Sequence, residues 1–170
     1  GDLRAWLGIA GGQLNRVTAD LNLSEVRSRL AADLPPLNLT ALSGRVGWHA
    51  VERGVEVSTQ RLSLQMVNGF KLQPTDFHLR LAGSRESRFA AGEIQANAVE
   101  LSDLAEMAEY IPLGKTFKQK LADYSPRGHI ANLRAQWPSG KDGLAHFDVK
   151  ARFDNMSVRR VENFPGVEGL

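Results

Sequence analysis

The sequence predicts an α+β domain in which β dominates, a mainly antiparallel sheet carrying one short helical pair. Three observations lead there. At least eight runs alternate apolar and polar residues with period two, which belongs to half-buried strands. Helical spacing is confined to about residues 101–124. Turn signals separate the alternating runs at short intervals, so neighbours in sequence are expected to be neighbours in a meander.

The clearest run covers residues 145–153, with Ala145, Phe147, Val149, Ala151 and Phe153 on one face and His146, Asp148, Lys150 and Arg152 on the other. Residues 76–81 set Phe77, Leu79 and Leu81 against Asp76, His78 and Arg80. In residues 131–137, Ala131, Leu133, Ala135 and Trp137 oppose Asn132, Arg134 and Gln136. Further strands are expected over 3–9, 17–23, 44–50, 55–59 and 62–66. One apolar and one polar face is the pattern of antiparallel sheet. The expected turns are Ala10-Gly11-Gly12, Glu52-Arg53-Gly54, Asn68-Gly69, Gly83-Ser84 and the loop from Pro138 to Gly143.

Three runs slip phase. Val17, Ala19, Leu21 and Leu23 are odd-numbered, but Val26 and Leu30 follow. Val55 and Val57 give way to Leu62, Leu64 and Met66, and Phe89 to Ile94, Ala96 and Ala98. A one-residue slip turns every later side chain to the opposite face unless a bulge absorbs it. Bulges would curve the sheet; turns at the same places would end the strands. Both readings stand on the sequence alone.

Leu101, Leu104, Ala105, Ala108 and Ile111 mark one helix face, with Ser102 placed as N-cap, Asp103 suited to the positive end of the helix dipole, and Ile111-Pro112 as the stop. A second short helix carries Phe117, Leu121 and Tyr124 before Ser125-Pro126-Arg127-Gly128. The expected organisation is a single module with strands over 1–100, the helical pair over about 101–124 and strands over 128–170.

Composition narrows the function. The chain has 170 residues, 42% hydrophobic and 24% charged, which is ordinary globular composition. Twenty-one Lys+Arg against 19 Asp+Glu leave +2, with no basic run of five or six, so a nucleic-acid footprint gets little support. The absence of cysteine removes disulfides and a thiol nucleophile, and fits a periplasmic protein that avoids stray oxidation. No stretch approaches the ~18 apolar residues of a membrane span. The chain starts at Gly1 without Met and stops in mid-motif at Leu170, which reads as a segment of something longer whose anchoring signals lie elsewhere.

Chemistry-bearing motifs are missing. His49, His78, His129 and His146 show no ligand spacing and no neighbouring nucleophile elbow, so exposed strand histidines are the simpler reading. Asp103, Glu106 and Glu109 form a solvated helix face opposite the leucines. The glycines of "GIAGG" suit a hairpin and lack the order of a phosphate loop. No catalytic residue, metal ligand or cofactor is expected.

The stretch "GEIQANAVELSDLAEMAEYIPLGKTFKQKLADYSPRGHIANLRAQW" resembles a recurring unit of the AsmA-like family, in its YhdP-type branch. There a strand runs into a leucine-rich helix, a second short helix follows, and a P-x-G turn leads to a strand ending in Trp. Pro126-Arg127-Gly128 and Trp137 hold those places. "LPPLNLTALSGRVGWHAVERGVEVSTQRLSLQM" is similar to the family's LSG-x-hydrophobic-x-W strand pair, through Leu42, Ser43, Gly44 and Trp48, and "FPGVEGL" resembles the start of the next pair. A weak internal repeat links "VTADLNLSEV" to "ARFDNMSVRR".

The resemblance implies a curved antiparallel sheet forming a groove or taco-like trough. It implies a non-enzymatic, lipid-transporting role in outer-membrane biogenesis: shielding phospholipid acyl chains as they cross the periplasm of a Gram-negative bacterium. The protein would be anchored in the inner membrane through a segment outside this stretch. The expected groove residues are Trp48, Phe77, Leu79, Leu81, Leu133, Trp137, Phe147, Val149 and Phe153. A carrier must replace water along each acyl chain, at ~0.8 kcal/mol per methylene or on the order of 12 kcal/mol for ~16 carbons, which calls for a continuous apolar track. The alternative is a structural or protein-interaction module of the cell envelope, in which the same residues fill a closed core under the helices.

Overall fold

The computed structural model describes the chain apart from residues 31, 33, 85–86, 111–114, 138–147, 162–164 and 170, and apart from the side chains of 84, 87–90 and 115–117. Its elements are β1 (Asp2–Ala10), β2 (Gln13–Ser28), β3 (Leu37–Val51), β4 (Gly54–Met66), β5 (Lys71–Thr75), β6 (Phe77–Ser84), β7 (Ser87–Glu100), α1 (Leu101–Met107), α2 (Lys115–Tyr124), β8 (Arg127–Trp137) and β9 (Asp148–Ser157). They form one curved sheet in the order β1-β2-β3-β4-β6-β7-β8-β9, with β5 also on β4. Every pairing is antiparallel. The meander is therefore as the alternation predicts, with β1 and β9 the outermost strands of that order.

The turns follow backbone chemistry. Gly11 and Gly12, at φ 58° and 75°, close the β1–β2 hairpin with the positive angles that match strand twist. Asn68-Gly69 turns β4 into β5, and the Asn68 side chain accepts from the Phe70 N–H at 3.1 Å. Gly83-Ser84, expected as a turn, belongs to β6, which continues to Ser84, and residues 138–143 lie outside the described part.

The phase slips are resolved inside strands, with no turn at any of them. In β4 the extra residue lies at Arg61, whose φ is 48°, between the pairs Ser43↔Ser63 and Arg45↔Gln60. In β2 the slip falls at Glu25, φ 54°. β7 runs unbroken through Ala90–Gly92. At Arg61 the bulge turns the strand without ending it, so that Val57 and Leu64, paired with Trp48 and Leu42, keep the same face; at Glu25 the register with β3 runs on unshifted.

Both helices form, with two corrections. The N-cap of α1 is Glu100, in extended conformation, and Ser102 lies inside the helix; Glu100 is still paired with His129, so the last strand residue is also the cap. The helix also stops at Met107 instead of reaching residue 111, in a tight turn where the Tyr110 N–H donates to the Met107 carbonyl at 3.0 Å. That turn sets Met107 and Tyr110 against the main buried cluster of Leu37, Leu39, Leu64, Met66 and Phe70. Each of those five side chains gains roughly 1.5–3 kcal/mol by leaving water.

The cluster sits at one end of the sheet, where β3 begins and β4 ends. Elsewhere burial is shallow: no described side chain falls below 2% exposure. The chain exposes 12080 Å², against about 8,300 Å² for a closed protein of its mass. Among the described residues the sheet is covered at one end, and that openness accounts for the excess.

Candidate functional site: the apolar face of the sheet

Directly paired residues in antiparallel strands share a face, so the register shows which side chains stand side by side. One row crosses the whole sheet. Leu7 pairs with Val17, Val17 with Trp48, Trp48 with Val57, Val57 with Leu79, Leu79 with Ile94, Ile94 with Ala135 and Ala135 with Val149. Eight strands each contribute one apolar residue, without a polar interruption. Seven inter-strand steps of about 4.8 Å make a track of roughly 34 Å at right angles to the strands.

The neighbouring rows widen it. Ala5, Ala19, Val46 and Thr59 lie on its helix side across β1 to β4, and Phe77, Ala96 and Leu133 across β6 to β8. Thr59, only 5% exposed, keeps its hydroxyl occupied, donating to the Thr75 carbonyl at 3.2 Å and accepting from the Phe77 N–H at 3.1 Å. On the hairpin side stand Ala50, Val55, Leu81, Gly92 and Trp137. The Trp137 indole lies over Gly92, where any Cβ would collide with the ring.

The opposite face reverses the chemistry at the next position along each strand. Arg16, His49, Glu56, Arg80, Glu93, Gln136 and Asp148 form the matching row. Arg80 lies 3.4 Å from Glu56. Near the β1 edge Arg45 clamps Asp20 through two bonds, the second at 2.9 Å, and this holds the Asp20 carboxyl below the usual carboxylate range.

A crease crosses the middle of the sheet. Gly44, at φ 127°, abuts the bulge at Arg61 so tightly that a Cβ would meet the Leu62 Cα and the Arg61 carbonyl. The Arg61 N–H donates to the Asp76 carboxylate at 2.6 Å, and the Asp76 N–H to the Asn97 side chain at 3.0 Å. Asn132, at φ 53°, continues the line in β8, where the β8–β9 register shifts between Ala131 and Arg134. Side chains here replace ladder bonds, which bends the sheet and leaves shallow open clefts on its polar face. One is lined by His78, Gln95, Asn97, Asn132 and Arg134. Among the described residues there is no group of three or more His, Asp or Glu that could hold a metal.

The nine residues named from the sequence separate by row. Trp48, Leu79 and Val149 stand in the long row, Phe77 and Leu133 beside it, and Leu81 and Trp137 at the hairpin rim. Phe153 pairs with buried Ile130 beyond the crease, towards the helices, and Phe147 lies outside the described residues. Leu7, Val17, Val57, Ile94 and Ala135 also belong to the long row. Their alternation was visible in the sequence, but their alignment depends on register. His78 is half-buried on the polar face, and His129 bonds Glu100 at 2.6 Å. Asp103, part-covered, has its carboxyl pushed up by burial and by Glu100 and Glu106.

The family profile described as "YhdP protein" matches residues 1–170. The chain belongs to the YhdP family. YhdP proteins are bacterial envelope proteins of lipid-transport type. No curated protein and no solved structure matches the chain. No helix among the described residues is long and apolar enough to cross a membrane.

Proposed function

We propose that this YhdP-family chain shields phospholipid acyl chains in its trough, in the periplasm, as part of an inner-membrane-anchored protein serving transport between inner and outer membranes. The observation that carries this reading is the unbroken row from Leu7 to Val149, whose two ends are 66% and 51% exposed and whose middle stays part-exposed up to Ile94. Its ~34 Å exceeds the ~15 Å depth of one leaflet, half of a ~30 Å hydrocarbon core, so a whole acyl chain could lie along it. The polar face opposite would meet water, and α1 would wall off one end. The lipid would contact Trp48, Leu79 and Val149, then Phe77 and Leu133, with Leu81 and Trp137 at the rim. No reaction and no cofactor is assigned.

A closed apolar core is the competing reading, and the cluster under Met107 and Tyr110 favours it for the helix end alone. The test is photo-crosslinking in the full-length protein in cells, with a photoreactive residue at Val57, Leu79 or Ile94, and at Glu56, Arg80 or Glu93 behind them. Phospholipid adducts identified by mass spectrometry are expected from the first set only. Equal adducts from both sets, or none from the first, would overturn the proposal.

A further inference from the structure

Two strand pairs, β3–β4 and β8–β9, are built on one plan. Gly44 in β3 and Gly128 in β8, at φ 127° and 118°, face a left-handed residue in the next strand, Arg61 at φ 48° and Asn155 at φ 54°. Each approach is so close that a Cβ on the glycine would meet the carbonyl of that residue. The residue after each glycine then reaches back to an acid on the preceding strand. Arg45 clamps Asp20, and His129 bonds Glu100, Nδ1 to Oε1, at 2.6 Å. The two pairs differ in one respect. A guanidinium keeps its charge at every working pH, whereas imidazole as a class loses its own between about pH 5 and 8. The first pair is fixed and the second depends on a proton.

The second pair stands at the root of α1. Glu100 ends β7 and caps the helix, yet its side chain makes no cap bond. α1 has seven residues and no basic residue in its last turn, and a helix of two turns has no stability of its own. Side-chain burial holds it: Leu101 and Ala108 are buried, and Met107 and Tyr110 pack on the cluster of Leu37, Leu39, Leu64, Met66 and Phe70. That cluster belongs to the apolar face, since Leu42 and Leu64 continue the face of Trp48 and Val57 past the crease. Asp103, three residues on from Glu100, has its carboxyl held above the ordinary value by burial and by the charges of Glu100 and Glu106.

We infer that α1 and the turn through Tyr110 form a lid over the helix end of the apolar face, kept shut by protonated His129 on Glu100 and loosened as pH rises through the imidazole range. Both groups act in one direction. Asp103 favours the docked helix while protonated and opposes it once ionised, and the His129–Glu100 pair is charged only while the imidazole holds its second proton. The other charged groups around the root leave that pair in place. Asp154, paired with His129 from β9, is bonded by Arg152 at 3.4 Å, and Lys118 of α2 donates to the Glu109 carbonyl at 3.2 Å. Glu106 and Glu109 on α1, Arg127 on β8, and Lys120 and Asp123 on α2 are exposed. A lifted lid would add Leu39, Leu64 and Met66 to the apolar track. That use rests on the lipid role proposed above; the motion does not.

Amide exchange of the ¹⁵N-labelled 170-residue protein, corrected for the intrinsic rate at each pH, tests it. The reporters are the Ala108 N–H, bonded to the Leu104 carbonyl at 3.0 Å, and the Tyr110 N–H, bonded to the Met107 carbonyl at 3.0 Å. Their protection should lie well below that of β3 and β4, which marks opening of α1 apart from global unfolding. Between about pH 5.5 and pH 7.5 it should fall roughly three- to fivefold while β3 and β4 stay level, the size expected of a part-exposed ion pair. His129→Arg should hold the protection at neutral pH near its acid value, and Asp103→Asn should raise it. Arg45→Gln should leave the reporters unchanged. Reporter protection equal to that of β3 and β4 would overturn the lid. Protection that stays level across the pH range, or a fall undiminished in His129→Arg, would overturn its proton control. No lipid enters the readout, so failure of the lid and failure of the lipid reading are separate results.

Discussion

Val149→Asp separates an open track from a closed core with one substitution. Val149 ends the long apolar row on β9 and is 51% exposed. Complete burial of a valine is worth about 1.5–3 kcal/mol, so about half of that, roughly 1 kcal/mol, is at stake here. Replacing a β-branched residue in a strand adds up to ~1 kcal/mol. A total of about 1–2 kcal/mol lowers the thermal midpoint by roughly 2–8 °C for a chain of this length. Leu39→Asp is the contrast. Leu39 is 3% exposed in the cluster under α1. Its loss forfeits the whole transfer term and leaves an unpaired carboxylate in an apolar site, a cost above about 4 kcal/mol that unfolds the domain or lowers the midpoint by more than about 8 °C.

The second readout is lipid crosslinking from a photoreactive residue at Ile94, which shares the row two strands away. Val149→Asp should stay folded and cut the adduct yield, because a desolvated charge would stand in the path of the chain. Unfolding of Val149→Asp as severe as that of Leu39→Asp would show that this row is buried. A folded Val149→Asp protein with undiminished adducts would show that no lipid passes β9 along this row. Either outcome refutes the reasoning.

Gly92→Ala should cost about 1–3 kcal/mol by urea unfolding, because the new methyl displaces the Trp137 indole, and should shift tryptophan emission; an unchanged spectrum would remove the stacking. Asn132→Val should cost more than Asn132→Gly, by about 1 kcal/mol or more, since φ 53° suits glycine and resists a β-branched residue; equal stabilities would mean the crease is not held by that conformation. Asp103→Asn should raise the thermal midpoint by about 1–2 °C at pH 7 and not at pH 3. Because the folded-state carboxyl is raised above its ordinary value of 3.8, its contribution is present below that value and is lost as pH rises through the folded one; a gain at pH 3 would contradict the direction.

Strand identity was legible because period two is a local property. Phe77, Leu79 and Leu81, or Ala131 to Trp137, announce a half-buried strand without help from any distant residue. The helical pair was legible for the same reason. Its cap was not, because Glu100 is held in place by pairing with His129, a partner 29 residues away. The slips at Glu25 and Arg61 were visible as slips. Whether each is a bulge or a turn depends on whether β3 continues alongside, and that is a fact about another strand.

The same limit applies to the site. Alternation determined that Trp48, Val57, Leu79, Ile94 and Val149 are apolar residues on one-sided strands. Only the register decided that they form one row, since a shift of one residue in any hairpin would have broken it. Equally, Leu39, Leu64 and Met66 look no different in sequence from the residues of the open row. They are buried because α1 ends where Met107 and Tyr110 reach them, and Leu7 and Val149 stay exposed because nothing among the described residues crosses that end of the sheet. Side-chain pattern is encoded residue by residue, whereas exposure belongs to the pair of surfaces that meet, and that pairing exists only in the folded chain.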